Sequence, residues 1–135
     1  MKKTEIVYKV VRQNNQSGKF QSVTVPSKCI FGREYIIGKR IYPEIGYLFA
    51  FHTLQDAIEF SHNTRYEYNT TVKVLECRAV VCSPKLVRIQ NLRGYKSITI
   101  AIRAFWQNTE ADLPVGWNVP RGTVFCKFIT PKSLT

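Results

Sequence analysis

Most of this chain follows a two-residue alternation of apolar and polar side chains, which is the period of a β-strand. The alternation is clearest over residues 96–107, where Ile98 and Ile100 fall on one face and Arg103 falls on the other. Alternation or a dense apolar run also predicts strands at residues 5–12, 20–25, 46–51, 70–83 and 123–130. Pro131 is expected to end the last strand. With shorter stretches this makes about six or seven strands in a largely antiparallel sheet, which can close into a barrel-like form.

One segment carries the signals of a helix instead. Thr53 is a suitable N-cap, and Asp56 three residues later completes a Thr-x-x-Asp version of the capping box. Asn63 suits the C-cap, so we expect one short helix at about residues 53–62. Because the chain has 135 residues, of which 44% are hydrophobic, the pattern predicts a single α+β domain over residues 1–135.

The charge of the chain is strongly and unevenly positive. Lys and Arg number 20 against 9 Asp and Glu, which gives a formal net charge of +11. Residues 77–109 contain six basic residues and no carboxylate, and residues 113–135 contain three more and none. Because a positive surface attracts polyanions, we expect RNA or DNA as the partner, with an acidic protein as the alternative.

The later strands and loops interleave cations with aromatic side chains, a combination that neutralises phosphates and stacks on bases. We therefore predict a nucleic-acid site in which arginine and lysine contact phosphate while Tyr95 and Trp117 stack. The predicted site residues are Arg88, Arg93, Tyr95, Lys96, Arg103, Phe105, Trp117 and Arg121. A solvated basic face, with Phe105 and Trp117 buried under loops, is an equally supported alternative.

Two further binding functions fit the sequence. Residues 113–122 are apolar and rich in turn formers, so they suit the anchor of a protein-interaction module, such as a viral inhibitor of a host factor with an acidic surface. A weaker alternative is a pocket for a small ligand or nucleotide formed by Phe51, His52 and Thr53. These residues lie at the predicted start of the helix, where backbone amides can bind an anion.

The sequence contains no recognisable catalytic or metal-binding constellation. His52 and His62 are its two histidines, and they lie on either side of the predicted helix. A glycine-rich phosphate loop is absent from the sequence. Four cysteines occur without a Cys-x-x-Cys pair, and we expect them to be packed thiols: Cys29, Cys77, Cys82 and Cys126. We therefore expect a non-enzymatic protein that needs no cofactor and no metal.

Five short patterns in the first 80 or so residues resemble a group of small, uncharacterised proteins from phages, large viruses and bacteria. They are Tyr8-Lys-Val-Val, Tyr35-x-x-Gly38, Gly46-x-Leu48-Phe49-x-Phe51, Ala57-x-x-Phe60 and Glu76-Cys77. The resemblance implies a viral or mobile-element origin and assigns no catalytic residue.

The first residues are charged and contain no apolar run of the length that a signal peptide or a membrane span requires. We therefore expect an intracellular protein that is not secreted and has no membrane partner. If the protein is viral, it would act in the cytoplasm or nucleus of the host.

Overall fold

The computed structural model describes residues 3–23, 33–43, 47–64, 68–82 and 121–135, together with the backbone of residues 88–90 and 116–118. These residues form eight strands and one helix: β1 (Glu5–Asn14), β2 (Phe20–Ser22), β3 (Glu34–Tyr35), β4 (Leu48–Phe51), α1 (Leu54–His62), β5 (Thr70–Cys82), β6 (Arg88–Gln90), β7 (Gly116–Asn118) and β8 (Thr123–Leu134). The predicted strand at residues 96–107 lies outside the described residues.

Four of the strands close into a small antiparallel barrel. β1 pairs with β5 along its whole length, β5 pairs with β8, and β8 pairs with β4. The ring closes where β4 returns to β1, with Tyr8 opposite Phe51. The C-terminal half of β1 extends past β4 and pairs with β2, which in turn pairs with β3. The α+β prediction, with one helix and a largely antiparallel, barrel-like sheet, is confirmed.

The barrel is filled largely by side chains from alternate positions of its four strands, with Tyr35 of β3 and Ile41 added from outside the ring. Val7 and Val11 of β1 are fully buried there, and Leu75 and Ile129 are buried with them. The other buried residues of this core are Tyr35, Ile41, Leu48, Ala50, Cys77, Ala79 and Cys126. The alternation in the sequence therefore identifies the inward face of β5, because every second residue of a strand points to the same side.

The outward face of β1 is also buried, because α1 packs against it. Val10 and Val74 of the sheet form a second core cluster with Phe51 and with Ala57 of α1. The alternation of Ile6, Tyr8 and Val10 in the sequence predicts that one face of β1 packs against a core. The structure corrects this, because Val7 and Val11 on the opposite face are buried as well. α1 begins after Thr53, whose side chain accepts a hydrogen bond from the Asp56 N–H, as the capping pattern predicts.

β8 continues through Pro131 to Leu134, so the prediction that this proline ends the strand is wrong. The reason is a register shift between β5 and β8: Cys77 faces Pro131, whereas Glu76, the residue before Cys77, faces Ser133. Lys132 therefore has no backbone pairing partner in β5, which makes a bulge beside Pro131. Bulges are places where proline, which has no N–H, is tolerated in a sheet. Within the described ranges, no helix is long and apolar enough to cross a membrane.

Candidate nucleic-acid interface

The residues of the predicted nucleic-acid site are only partly described. Arg93, Tyr95, Lys96, Arg103 and Phe105 lie outside the described residues. Arg88 and Trp117 lie in a separate two-stranded sheet, where β6 pairs with β7 and the Arg88–Asn118 pair neighbours the Ile89–Trp117 pair. Arg121 is exposed in the turn before β8. The pairing of β6 with β7 therefore brings the backbones of Arg88 and Trp117 close together.

The predicted ligand pocket lies where β4 leads into α1, and two of its three residues are already engaged. Phe51 is 6% exposed, and its ring centroid lies 5.1 Å from that of Phe60. The Thr53 hydroxyl accepts a hydrogen bond from the Asp56 N–H at 3.2 Å and donates one to the Asp56 carboxylate at 2.9 Å. His52 remains as the exposed ring of this junction.

The turn that carries Arg121 packs against the same junction. The His52 N–H donates a hydrogen bond to the Gly122 carbonyl at 2.8 Å. Gly122 has a φ of +79° and lies so close to Asp56 that an added Cβ would be 2.6 Å from the carboxylate carbon. An anion bound here would therefore lie close to the Asp56 carboxylate, which would repel it. A small-ligand site at this junction stays a prediction.

Two cations of β1 are buried in the fold and do not belong to its surface. Lys9 is 8% exposed; its ammonium donates a hydrogen bond to the Phe49 carbonyl and lies 5.5 Å from the Tyr35 ring centroid. Arg12 is also 8% exposed, and its guanidinium donates a hydrogen bond to the Val23 carbonyl at 2.6 Å. The net charge of the chain therefore overstates the number of cations that a partner can contact.

Two cysteine thiols share the barrel interior with Lys9. Burial raises the pKa of Cys77 and of Cys126 from 9.0 to about 12, and the positive charge of Lys9 offsets only part of this rise. A thiol with such a pKa stays protonated at neutral pH, so it is a poor nucleophile and a poor metal ligand. Among the described residues, no group of His, Cys, Asp and Glu is arranged to hold a metal ion.

A cation-rich aromatic surface lies on the outer wall of the barrel, over β8. We call it the Phe128 surface and define it by Arg33, Arg40, Tyr42, Arg78 and Phe128. The segment 36–42 builds it by running along β8. The Gly38 N–H donates to the Pro131 carbonyl at 2.8 Å, and Ile41 and Ile129 exchange backbone hydrogen bonds of 2.7 and 3.0 Å.

Ile41 determines which side chains of this segment face outward. It is 8% exposed and belongs to the barrel core. Its neighbours Arg40 and Tyr42 are both exposed. Because successive side chains of an extended segment point to opposite sides, burial of Ile41 turns Arg40 and Tyr42 toward Phe128 on the outer wall.

Arg40, Tyr42 and Phe128 are in mutual contact. The Arg40 guanidinium carbon lies 4.1 Å from the Phe128 ring centroid. The Tyr42 ring centroid lies 5.7 Å from that of Phe128, with an interplanar angle of 52°. Arg40 also donates a hydrogen bond to the Tyr42 hydroxyl at 3.3 Å. The three side chains therefore hold one another in place.

Arg33 and Arg78 flank this contact. The Arg33 Nε–H donates to the Tyr42 carbonyl at 3.0 Å. Arg78 is exposed on β5 opposite Thr130, and the next outward pair along the two strands is Val80 with Phe128. Diagonal neighbours of this kind lie about 7–8 Å apart, which is within the reach of an arginine side chain.

Two of the described carboxylates near this surface are paired with lysines. Glu76, which lies on the same face of β5 as Arg78, pairs with Lys132 at 3.6 Å. Glu34, next to Arg33 in the chain, pairs with Lys19 at 3.7 Å. In the part of the chain that the structure covers, no carboxylate forms an ion pair with Arg40 or Arg78.

Of the Phe128 surface, sequence reasoning identified none of the five residues. It sought the site in the carboxylate-free ranges 77–109 and 113–135, and two members of this surface, Arg78 and Phe128, lie in them. The Arg40-Ile41-Tyr42 alternation is a usable signal, since a buried Ile41 turns both neighbours outward. The contact of this segment with Phe128 depends on tertiary pairing, which the local pattern does not contain.

No known protein family, curated protein or solved structure matches the chain. The resemblance to small phage, viral and bacterial proteins therefore stays a prediction.

Proposed function

We propose that this protein is a non-enzymatic nucleic-acid-binding module and that the Phe128 surface is part of its binding site. The observation that carries the proposal is the state of Arg40. Its guanidinium is exposed and fixed over the Phe128 ring. A guanidinium has five N–H donors, and one is directed at the Tyr42 hydroxyl, which leaves others for a phosphate.

The surroundings of Arg40 support the same function. Arg33 and Arg78 bring two more positive charges to the Phe128 surface, and Glu76 and Glu34 are paired with lysines. Arginine is well suited to phosphate because its planar fork can donate two parallel hydrogen bonds. Because the Arg40 fork lies over the Phe128 ring with the Tyr42 ring beside it, the surface offers both a phosphate contact and a stacking surface.

The test is the salt dependence of affinity for a labelled single-stranded oligonucleotide of about 12 nucleotides, followed by fluorescence anisotropy. We expect binding at about 50 mM salt that weakens steeply toward 200 mM. Arg40→Gln and Arg78→Gln should each weaken binding and reduce the slope of log affinity against log salt by about 0.7.

The matched control is Lys73→Gln, which removes one positive charge on β5 roughly 20 Å from the position opposite Phe128. We expect a smaller effect on affinity than that of Arg40→Gln. An equal effect of the two changes would show that net charge, and not the Phe128 surface, controls binding. Absence of binding by the unaltered protein at about 50 mM salt would reject the function itself.

A second candidate is a protein-interaction module with an acidic partner. The observation in its favour is an apolar pair beside the Phe128 surface: Ile36 is 44% exposed and Ile37 is 46% exposed, at the Gly38 turn. Replacement of both isoleucines by serine should leave oligonucleotide affinity unchanged. If it instead abolishes capture of a host protein from a nuclease-treated extract, and no oligonucleotide binds, the protein-interaction function is the better account.

A further inference from the structure

Tyr42 combines high exposure with a fixed ring, which is unusual for a large aromatic side chain. It is 55% exposed. Its ring packs on Phe128, its hydroxyl accepts a hydrogen bond from Arg40, and its carbonyl accepts one from Arg33. These contacts reduce the rotational freedom that the side chain would lose on binding, so the ring is a preorganised contact surface.

Another tyrosine provides the contrast within the same protein. Tyr68 is 86% exposed, beside Asn69, which has a φ of 60°. Over the described residues, its ring makes no contact with another ring or with a cation. Both tyrosines are therefore exposed, but of the two only Tyr42 has a fixed ring beside guanidinium groups.

A fixed, exposed ring beside phosphate-binding groups favours one form of nucleic acid. In a single strand the faces of the bases are accessible and can stack on an aromatic side chain. In a duplex the same faces are covered by the neighbouring base pairs, so Tyr42 has nothing to stack on while the arginines can still reach phosphate. The Tyr42 ring should therefore account for any preference for single strand over duplex, while the arginines should contribute equally to the affinity for both forms.

We propose that the Phe128 surface binds single-stranded nucleic acid in preference to duplex, with a base stacked on Tyr42 and the adjacent phosphate held by Arg40. This inference rests on the proposed nucleic-acid-binding function and adds the form of nucleic acid that the site selects. It makes no distinction between RNA and DNA, because both expose the faces of their bases as single strands.

The experiment compares a single-stranded oligothymidylate of about 12 nucleotides with a blunt duplex of equal length, at the same series of salt concentrations. We expect the single strand to bind about tenfold more tightly or better. Tyr42→Ala should weaken single-strand binding by roughly 5- to 150-fold and weaken duplex binding far less, with the salt slope unchanged because no charge is removed. Tyr42→Phe, which keeps the ring, should stay within about twofold of the unaltered protein.

Two controls separate stacking from structural damage. Tyr68→Ala should leave every affinity unchanged, and Tyr42→Leu should keep the packing on Phe128 while losing the stack. Photocrosslinking of the unaltered protein to a 5-iodouracil oligonucleotide needs no variant, and we expect the crosslinked peptide to contain Tyr42.

The outcomes distinguish the inference from the function on which it rests. Equal binding of single strand and duplex, or single-strand binding that Tyr42→Ala and Tyr42→Leu leave intact, overturns the stacking inference while nucleic-acid binding stands. A crosslink that lies entirely outside residues 33–43 also overturns it. Failure of both oligonucleotides to bind at low salt overturns the proposed function as well.

Discussion

Single residues decide which charges of this protein face a partner. Lys9 and Arg12 are two of the 20 cations, and both are buried with hydrogen bonds to backbone carbonyls. Lys19 and Lys132 are engaged by carboxylates. Arg40 is different, because its guanidinium is held in place by two aromatic residues and stays exposed. Composition gives the sign of the surface potential, whereas these contacts determine which cations are accessible.

The buried thiols of Cys77 and Cys126 give a prediction about cysteine reactivity. Burial raises the pKa of Cys77 and Cys126 to about 12, so the thiolate fraction of each at about pH 8 is lowered by roughly 1,000-fold. In the folded protein we expect iodoacetamide to label Cys82, which is partly exposed, well before these two. Peptide mapping by mass spectrometry after a short exposure measures the order. Labelling of Cys77 or Cys126 as fast as Cys82 would contradict their burial, and in denaturant all three should react alike.

Elements with local signals were predictable from the sequence. α1 matches its predicted range because the N-cap at Thr53, the Asp56 N–H that it binds and the C-cap at Asn63 are all within ten residues of one another. The end of β8 was not predictable in the same way. Whether Pro131 stops the strand depends on the bulge opposite Cys77, and this bulge is a property of the pairing between two distant segments.

The connection between α1 and β8 gives a second prediction, at the scale of elements. Gly122→Ala introduces a Cβ against the Asp56 carboxylate at a φ of +79°, so we expect unfolding to become easier by roughly 2–3 kcal/mol. Gly18→Ala is the control, because Gly18 has a φ of +73° and its nearest neighbour would be 4.0 Å away. That change should cost only about 1 kcal/mol, as measured by urea unfolding. Equal effects of the two changes would rule out close packing of Gly122 on Asp56.

The whole molecule explains why the candidate site could not be read from one stretch of sequence. Alternation predicts which face of a strand is buried, but it does not identify the partner of that strand. Pairing of the segment 36–42 with β8 brings Arg40 and Tyr42 together with Phe128, about ninety positions later in the chain. Pairing of β5 with β8 adds Arg78. The α+β class was therefore predictable, whereas the Phe128 surface depends on which distant segments pair with β8.

Binding of nucleic acid at the Phe128 surface is tested most directly by an NMR titration of isotope-labelled protein with a single-stranded oligonucleotide. We predict that backbone amide shifts concentrate at Arg40, Tyr42, Arg78 and Phe128, while Ala57 and the rest of α1 stay unchanged. Shifts centred on α1 or on the Arg121 turn, with the Phe128 surface unchanged, would contradict the account, as would the absence of any shift at low salt.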